Sequence, residues 1–254
     1  MNLWKFFLVL IGANSFSGYQ YERDIVIIMV KNDRVELAKT LRLLNTSHPK
    51  MIALNLDLDE CDSVTEFPTS HGDNGEISTE MIQSKSESQL LQELSASLDL
   101  LMPSRLQPFS KRDSGEVIGC PFLYPKMTSI GFVNLIYNIR DSNQVGKFKI
   151  SNKYGQDLSY HFAVKIALKL NKKSATGFIE SHPNVLPIND GHSRKFKTFN
   201  IQDFYDNKEN IKFLKDKIVI IGTGRPNDYR IVPGKKKLLT TSEIFANIAC
   251  QMVE

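Results

Sequence analysis

Apolar positions change their spacing several times along the chain, and each change marks an element. Residues 24–30 (DIVIIMV) form a continuous β-branched run, the pattern of a strand buried on both faces. In 34–45 the apolar positions move to helical spacing through Val35, Ala38 and Leu41, widened by Leu37 and Leu44, with Asn32 or Asp33 placed to cap the start. Residues 51–58 form a second apolar strand. Strand, helix and strand in close succession predict a βαβ unit with parallel strands and a right-handed crossover.

Periodicity disappears over 59–86, which is rich in Ser, Thr, Glu, Asp and Gly and includes HGDNG at 71–75, so this stretch reads as a long surface loop. Helical spacing returns in 88–101 through Leu90, Leu91, Leu94 and Leu98. A weak strand is expected near 105–109, then an irregular connection over 110–128 with Gly115, Gly119, Pro121 and Pro125. Residues 130–139 and 145–151 are β-rich runs joined by RDSNQ, a hairpin pattern. A helix is expected over 158–170, a short strand over 196–201, a third buried strand over 217–222 and a closing helix over 241–253. These elements predict the α/β class: a mixed, mainly parallel sheet with flanking helices, an antiparallel hairpin and long loop insertions. No internal repeat appears.

The N-terminus has its own pattern. Lys5 precedes an uninterrupted apolar block at 6–13, and small or polar residues come after it, which is the layout of a signal peptide over 1–17. Either Ala13-Asn14-Ser15 or Ser15-Phe16-Ser17 offers a cleavage site. The block is about half of what a spanning helix needs, so the expectation is a periplasmic or secreted protein, with tethering by an uncleaved N-terminus as the alternative. Residues 18–254 then form one α/β domain.

Charge adds an asymmetry. The net charge is +4, yet from Asp57 to Asp99 eleven acidic residues face one basic residue, Lys85, so this segment carries −10 and the remainder +14. That reads as a solvated acidic insertion beside a lysine-rich face. Lys235, Lys236 and Lys237, with Arg225 and Arg230, form a basic patch that could meet anionic lipid or an acidic protein partner. Aromatics do not alternate with the basic residues, so a nucleic-acid groove is not expected. Cys61, Cys120 and Cys250 lack metal-ligand spacing and permit at most one disulfide; Cys120 and Cys250 read as small buried thiols and Cys61 as more exposed.

Several motifs invite chemistry. Gly222-Thr223-Gly224 comes directly after a buried strand, where a dinucleotide loop would sit, but the third glycine is missing and Pro226 interrupts. Asp57, Asp59, Glu60 and Asp62 crowd oxygen ligands without a calcium-loop pattern. His48, His71, His161, His182 and His192 stand in no metal spacing and beside no nucleophile motif. No cofactor is implied.

The order of the pieces resembles the cyclase and histidine-kinase associated sensory extracellular (CHASE) domain of the second type. The residues that carry the likeness are RVELAKTLRLL at 34–44 followed by MIALNLDL at 51–58, GFVNL at 131–135 leading into a hairpin, and the helix at 158–170. FLKDKIVIIG at 213–222, Asp228 and EIFAN at 243–247 complete the order. Members usually carry Asp at the position of Asn55 and His at that of Phe245, and their Asp-rich turn is represented loosely by 140–146. The resemblance implies an extracytoplasmic, non-catalytic sensory or ligand-binding module. The alternatives are an exported hydrolase drawing acids from Asp57, Asp59 and Asp228, or a scaffold binding an envelope protein through the basic patch. Open parallel sheets bind ligands at the carboxyl ends of their strands, which selects Asn55, Asp57, Asp59, Thr223 and Asp228 as candidate contacts for a small molecule; turn stabilisation by short polar side chains is their alternative role.

Overall fold

The computed structural model describes residues 21–31, 33–56, 58, 66–68, 79–81, 85–108, 114–117, 125, 128–138, 141–154, 156–188, 194–206, 208–232 and 238–254. The expected signal peptide, Asp57, Asp59, Cys61, Cys120, most of the acidic stretch and Lys235, Lys236 and Lys237 lie outside the described residues.

In chain order the elements are β1 (Ile25–Met29), α1 (Arg34–Ser47), β2 (Met51–Asn55), β3 (Glu66–Pro68), β4 (Thr79–Met81), α2 (Lys85–Ala96), β5 (Leu100–Pro108), β6 (Ser114–Val117), β7 (Ser129–Phe132) and β8 (Leu135–Asn138). Then come β9 (Asp141–Lys149), β10 (Ser151–Tyr154), β11 (Asp157–Tyr160), α3 (Phe162–Leu170), α4 (Lys172–Ser181), β12 (Val185–Pro187) and β13 (Lys197–Asn200). The chain ends with α5 (Ile201–Asp206), α6 (Lys208–Phe213), β14 (Ile218–Gly222), β15 (Tyr229–Arg230), β16 (Leu239–Thr240) and α7 (Thr241–Gln251).

The main sheet has the order β13-β1-β14-β2-β5, with β7 parallel and β6 antiparallel to β5; the other neighbouring pairs are all parallel. The fold is thus the mixed, mainly parallel α/β architecture expected from the sequence. β1 and β2 are parallel but not adjacent, because β14 lies between them with Gly222 opposite both Met29 and Asn55. All five residues of β14 are buried, and that full burial suits the last main-sheet strand in the chain to a central place.

Successive side chains of these strands serve two cores, which is why their sequences run apolar without alternation. Ile25, Ile27, Met51, Ala53, Ile218 and Ile220 pack under α3 and α7. Val26, Ile28, Ile52, Leu54, Val219 and Ile221 pack against α1 and α2 on the opposite face. Burying one such side chain contributes about 1.5–3 kcal/mol.

Helix boundaries reflect local polar chemistry. Asp33, not Asn32, caps α1 by accepting the Glu36 N–H at 2.8 Å, and the buried stripe is Leu37, Ala38, Leu41 and Leu44, with Val35 exposed. α2 stops at Ala96 rather than reaching 101. The Ser97 hydroxyl turns back to Asn45 Oδ1 at 2.9 Å and to the Glu93 carbonyl at 3.0 Å, Leu98 is 95% exposed, and the Asp99 carbonyl already accepts from Ile52 N. The apolar run at 130–139 is two strands, not one. Asn134 breaks it by pairing its side chain with both Leu106 N (2.6 Å) and Leu106 O (3.1 Å), and the chain leaves the main sheet for an antiparallel sheet ordered β12-β9-β8. Likewise α3 begins at Phe162, because 157–160 pairs antiparallel with β10. The sequence reading missed α4, which presents only Ala175 as a fully buried apolar side chain and so lacks a visible stripe.

At the amino edge of the sheet, Arg194 gathers two carboxylates. Its guanidinium binds Glu254, approaches Glu22 Oε1 at 3.9 Å and reaches the Asn247 carbonyl at 3.4 Å, while its side chain is 5% exposed. Nearby Cys250 is fully buried, and burial pushes its thiol up to about 12. It is an inert core residue, as its sequence setting suggests.

Candidate functional site

The carboxyl edge of the parallel sheet brings three of the five expected site residues into one neighbourhood. Asn55 ends β2 directly opposite Gly222. Its amide nitrogen donates to Thr241 Oγ1 and Ser242 Oγ, both at 2.9 Å, tying the end of β2 to the first turn of α7. Next to it, a Cβ on Gly222 would collide with the Ser242 hydroxyl; this glycine admits α7 close to the sheet rather than a phosphate. The next helical segment is a 3-10 turn, Pro226–Asp228, not an α-helix, so the phosphate-loop geometry is absent there.

Thr223 donates its hydroxyl to the Asp228 carboxylate, and the Asp228 N–H donates to the Arg225 carbonyl at 2.9 Å. These contacts close the loop after β14 and fix the backbone of Arg225, with Pro226 adding its restricted φ. Asp57 and Asp59, the other two expected site residues, lie outside the described residues. Among the described residues no group of three His, Cys, Asp or Glu side chains is arranged to hold a metal.

Beside this loop is a crevice of about 740 Å³ at the ends of β13, β1 and β14, within the ordinary range for small-molecule pockets. Among the described residues its apolar lining is Met29, Val30 and Ile201, and its charged groups are Lys31, Glu36 and Arg225. Sequence reasoning missed Lys31 and Glu36, and placed Arg225 in a basic patch rather than at a ligand crevice. Lys31 is the first charged residue past β1, and Arg225 stands three residues past β14; both positions were marked by the strand ends, but the adjacency of β1 and β14 was not visible.

Each wall is locally fixed. The Val30 N–H continues the ladder to Gly222 O at 2.9 Å, and the Asp33 N–H donates to Lys31 O at 2.8 Å. The Asn200 N–H is held by the Asp203 carboxylate at 3.1 Å. Glu36 occupies the third helical position, from which a glutamate commonly reaches back to the cap N–H. α7 does this: Glu243 accepts the Thr240 N–H at 2.8 Å while Thr240 Oγ1 accepts the Glu243 N–H at 3.2 Å. In α1 the Asp33 N–H goes to Lys31 instead, and Glu36 lines the crevice.

A second polar feature lies deep in the core. His161 caps α3 by accepting the Ala163 N–H on Nδ1 at 3.2 Å, which places its proton on Nε2. The ring is wholly buried against Phe132, Phe148 and Phe245 at centroid distances of 5.3, 5.8 and 5.4 Å. Among the described residues Nε2 meets no partner in good hydrogen-bond geometry, and desolvation lowers the pKa from 6.5 to about 3 against the opposing pull of the Asn134 backbone. Its chemistry is that of a neutral structural imidazole.

This architecture, a parallel sheet closed by α7 and joined to an antiparallel sheet through Asn134, coincides with a match to the family model described as the CHASE2 domain over residues 7–254. The chain belongs to the CHASE2 family. It is therefore a domain of an extracytoplasmic sensory family, consistent with the resemblance read from its motifs. Comparisons with curated proteins and with solved structures gave no match. Among the described residues no helix is long and apolar enough to cross a membrane. Two side chains here have physical consequences: Asn55 supplies two N–H donors that a carboxylate lacks, and Phe245 adds hydrocarbon to the surroundings of His161.

Proposed function

We propose that this CHASE2 domain is a non-catalytic sensory module, exported by way of its N-terminal apolar block, whose small-molecule ligand binds at the carboxyl edge of the parallel sheet. The observation that carries the reading is the crevice at the ends of β13, β1 and β14, with charged walls over an apolar floor. In this reading Thr223 and Asp228 hold the loop that presents Arg225, while Asn55 stands at the end of β2, about two strand spacings, roughly 10 Å, from β1.

Thermal-shift screening of the full chain against small metabolites tests it, since a ligand that binds only the folded state raises the melting temperature with concentration. The expected result is a saturable rise that Lys31→Gln and Arg225→Gln diminish. A ligand whose effect ignores both substitutions would place the site elsewhere.

A second reading is docking of an envelope protein. Tyr137, Tyr229 and Leu238 are exposed around a hollow of about 490 Å³, and the Arg230 guanidinium lies 5.9 Å from the Tyr137 ring centroid. Aromatic and Arg side chains of this kind favour protein contacts.

A further inference from the structure

Resting on the crevice reading above, we propose that the ligand class is a zwitterion of the amino-acid type, bearing an ammonium and a carboxylate on one small skeleton. Among the described residues the charges of the crevice are two cations, Lys31 and Arg225, and one carboxylate, Glu36. A simple anion would be repelled by Glu36 and a simple amine by the two cations. A ligand carrying both charges satisfies the whole set, with Arg225 suited to a carboxylate through its planar fork and Glu36 able to accept from an ammonium.

The state of Glu36 is the independent support. It stands where its counterpart Glu243 in α7 closes a capping box, yet the Asp33 N–H that it would accept is given to the Lys31 carbonyl. Among the described residues the helix start does not use this carboxylate, and Glu36 lines the crevice. Met29, Val30 and Ile201 supply an apolar floor for the ligand's carbon skeleton. Because the three walls are each fixed by their own hydrogen bonds, little ordering accompanies binding.

The test is isothermal titration of the full chain with individual proteinogenic amino acids, with propionate and ethylamine as single-charge controls. At least one amino acid should bind saturably and about tenfold or more tighter than either control, and Glu36→Gln and Arg225→Gln should each weaken it by about tenfold or more. Glu36→Gln should melt within a degree or two of wild type, since its side chain takes no part in the cap. Absence of binding by every amino acid, or binding indifferent to Glu36→Gln, overturns the proposal. A metabolite without an ammonium whose binding requires Arg225 would also overturn it while leaving the crevice reading intact; ligands indifferent to Lys31→Gln and Arg225→Gln together would remove both.

Discussion

His161 offers a sharp test of the core, because one proton has a calculable effect. Its pKa falls from 6.5 to about 3 on folding, since burial among Phe132, Phe148 and Phe245 strips a charged imidazolium of water and outweighs the Asn134 backbone, which favours the charged form. The folded pKa lies below the unfolded one, so the unfolded chain takes up the proton first as pH falls. The favourable contribution is therefore complete above about pH 6.5 and is lost progressively down to about pH 3. With 1.36 kcal/mol per pH unit, moving from pH 7 to pH 4 lowers stability by about 3 kcal/mol through this group alone.

Urea denaturation at intervals between pH 7 and pH 4 reads this directly when wild type is compared with His161→Phe. The variant loses the cap on α3, costing about 1 kcal/mol at pH 7, but it has no proton to gain. Its stability curve should fall less steeply, so that by pH 4 the difference between the two proteins has moved by about 3 kcal/mol in favour of the variant. Carboxylates titrate in this range too, but they are common to both proteins and cancel in the difference. Parallel curves between pH 6.5 and pH 4 would refute the neutral buried imidazole.

Two further substitutions probe the edges of the sheet. Gly222→Ala forces a Cβ onto the Ser242 hydroxyl, which is buried and bonded to Asn55, so chemical denaturation should show a loss of about 1–3 kcal/mol; an unchanged midpoint would mean that α7 can retreat freely. Arg194→Met leaves Glu22 and Glu254 without their cation in a largely desolvated site, and a loss of about 3 kcal/mol is expected, measurable by urea titration and reduced when Glu22→Gln and Glu254→Gln are added.

The sequence revealed elements wherever burial imposed a period. β1, β2 and β14 are buried on both faces, and their uninterrupted apolar runs, β-branched in β1 and β14, identified them. Order within the sheet was less legible, because pairing of β14 between β1 and β2 depends on contacts far apart in the chain. Polar side chains acting on groups distant in the chain were least visible: Asn134 splits a run of apolar residues by bonding the Leu106 backbone, and Ser97 ends α2 by reaching the Asn45 side chain.

The candidate site shows the same division between local and distant causes. Strand ends located the carboxyl edge, and the polar residues immediately there, Asn55, Thr223 and Asp228, proved to be engaged with Thr241, Ser242 and one another. They build the edge; the charged groups presented to the crevice stand slightly farther along, on Lys31, Glu36 and Arg225. That separation has a physical basis. A side chain that fixes a turn must commit its hydrogen-bonding capacity within the fold, so the groups left to meet a ligand are those one or two positions beyond it, carried by backbone that their neighbours have already immobilised. Arg225 illustrates this: Thr223 and Asp228 close the loop around it, Pro226 restricts the chain after it, and its guanidinium is left at the crevice.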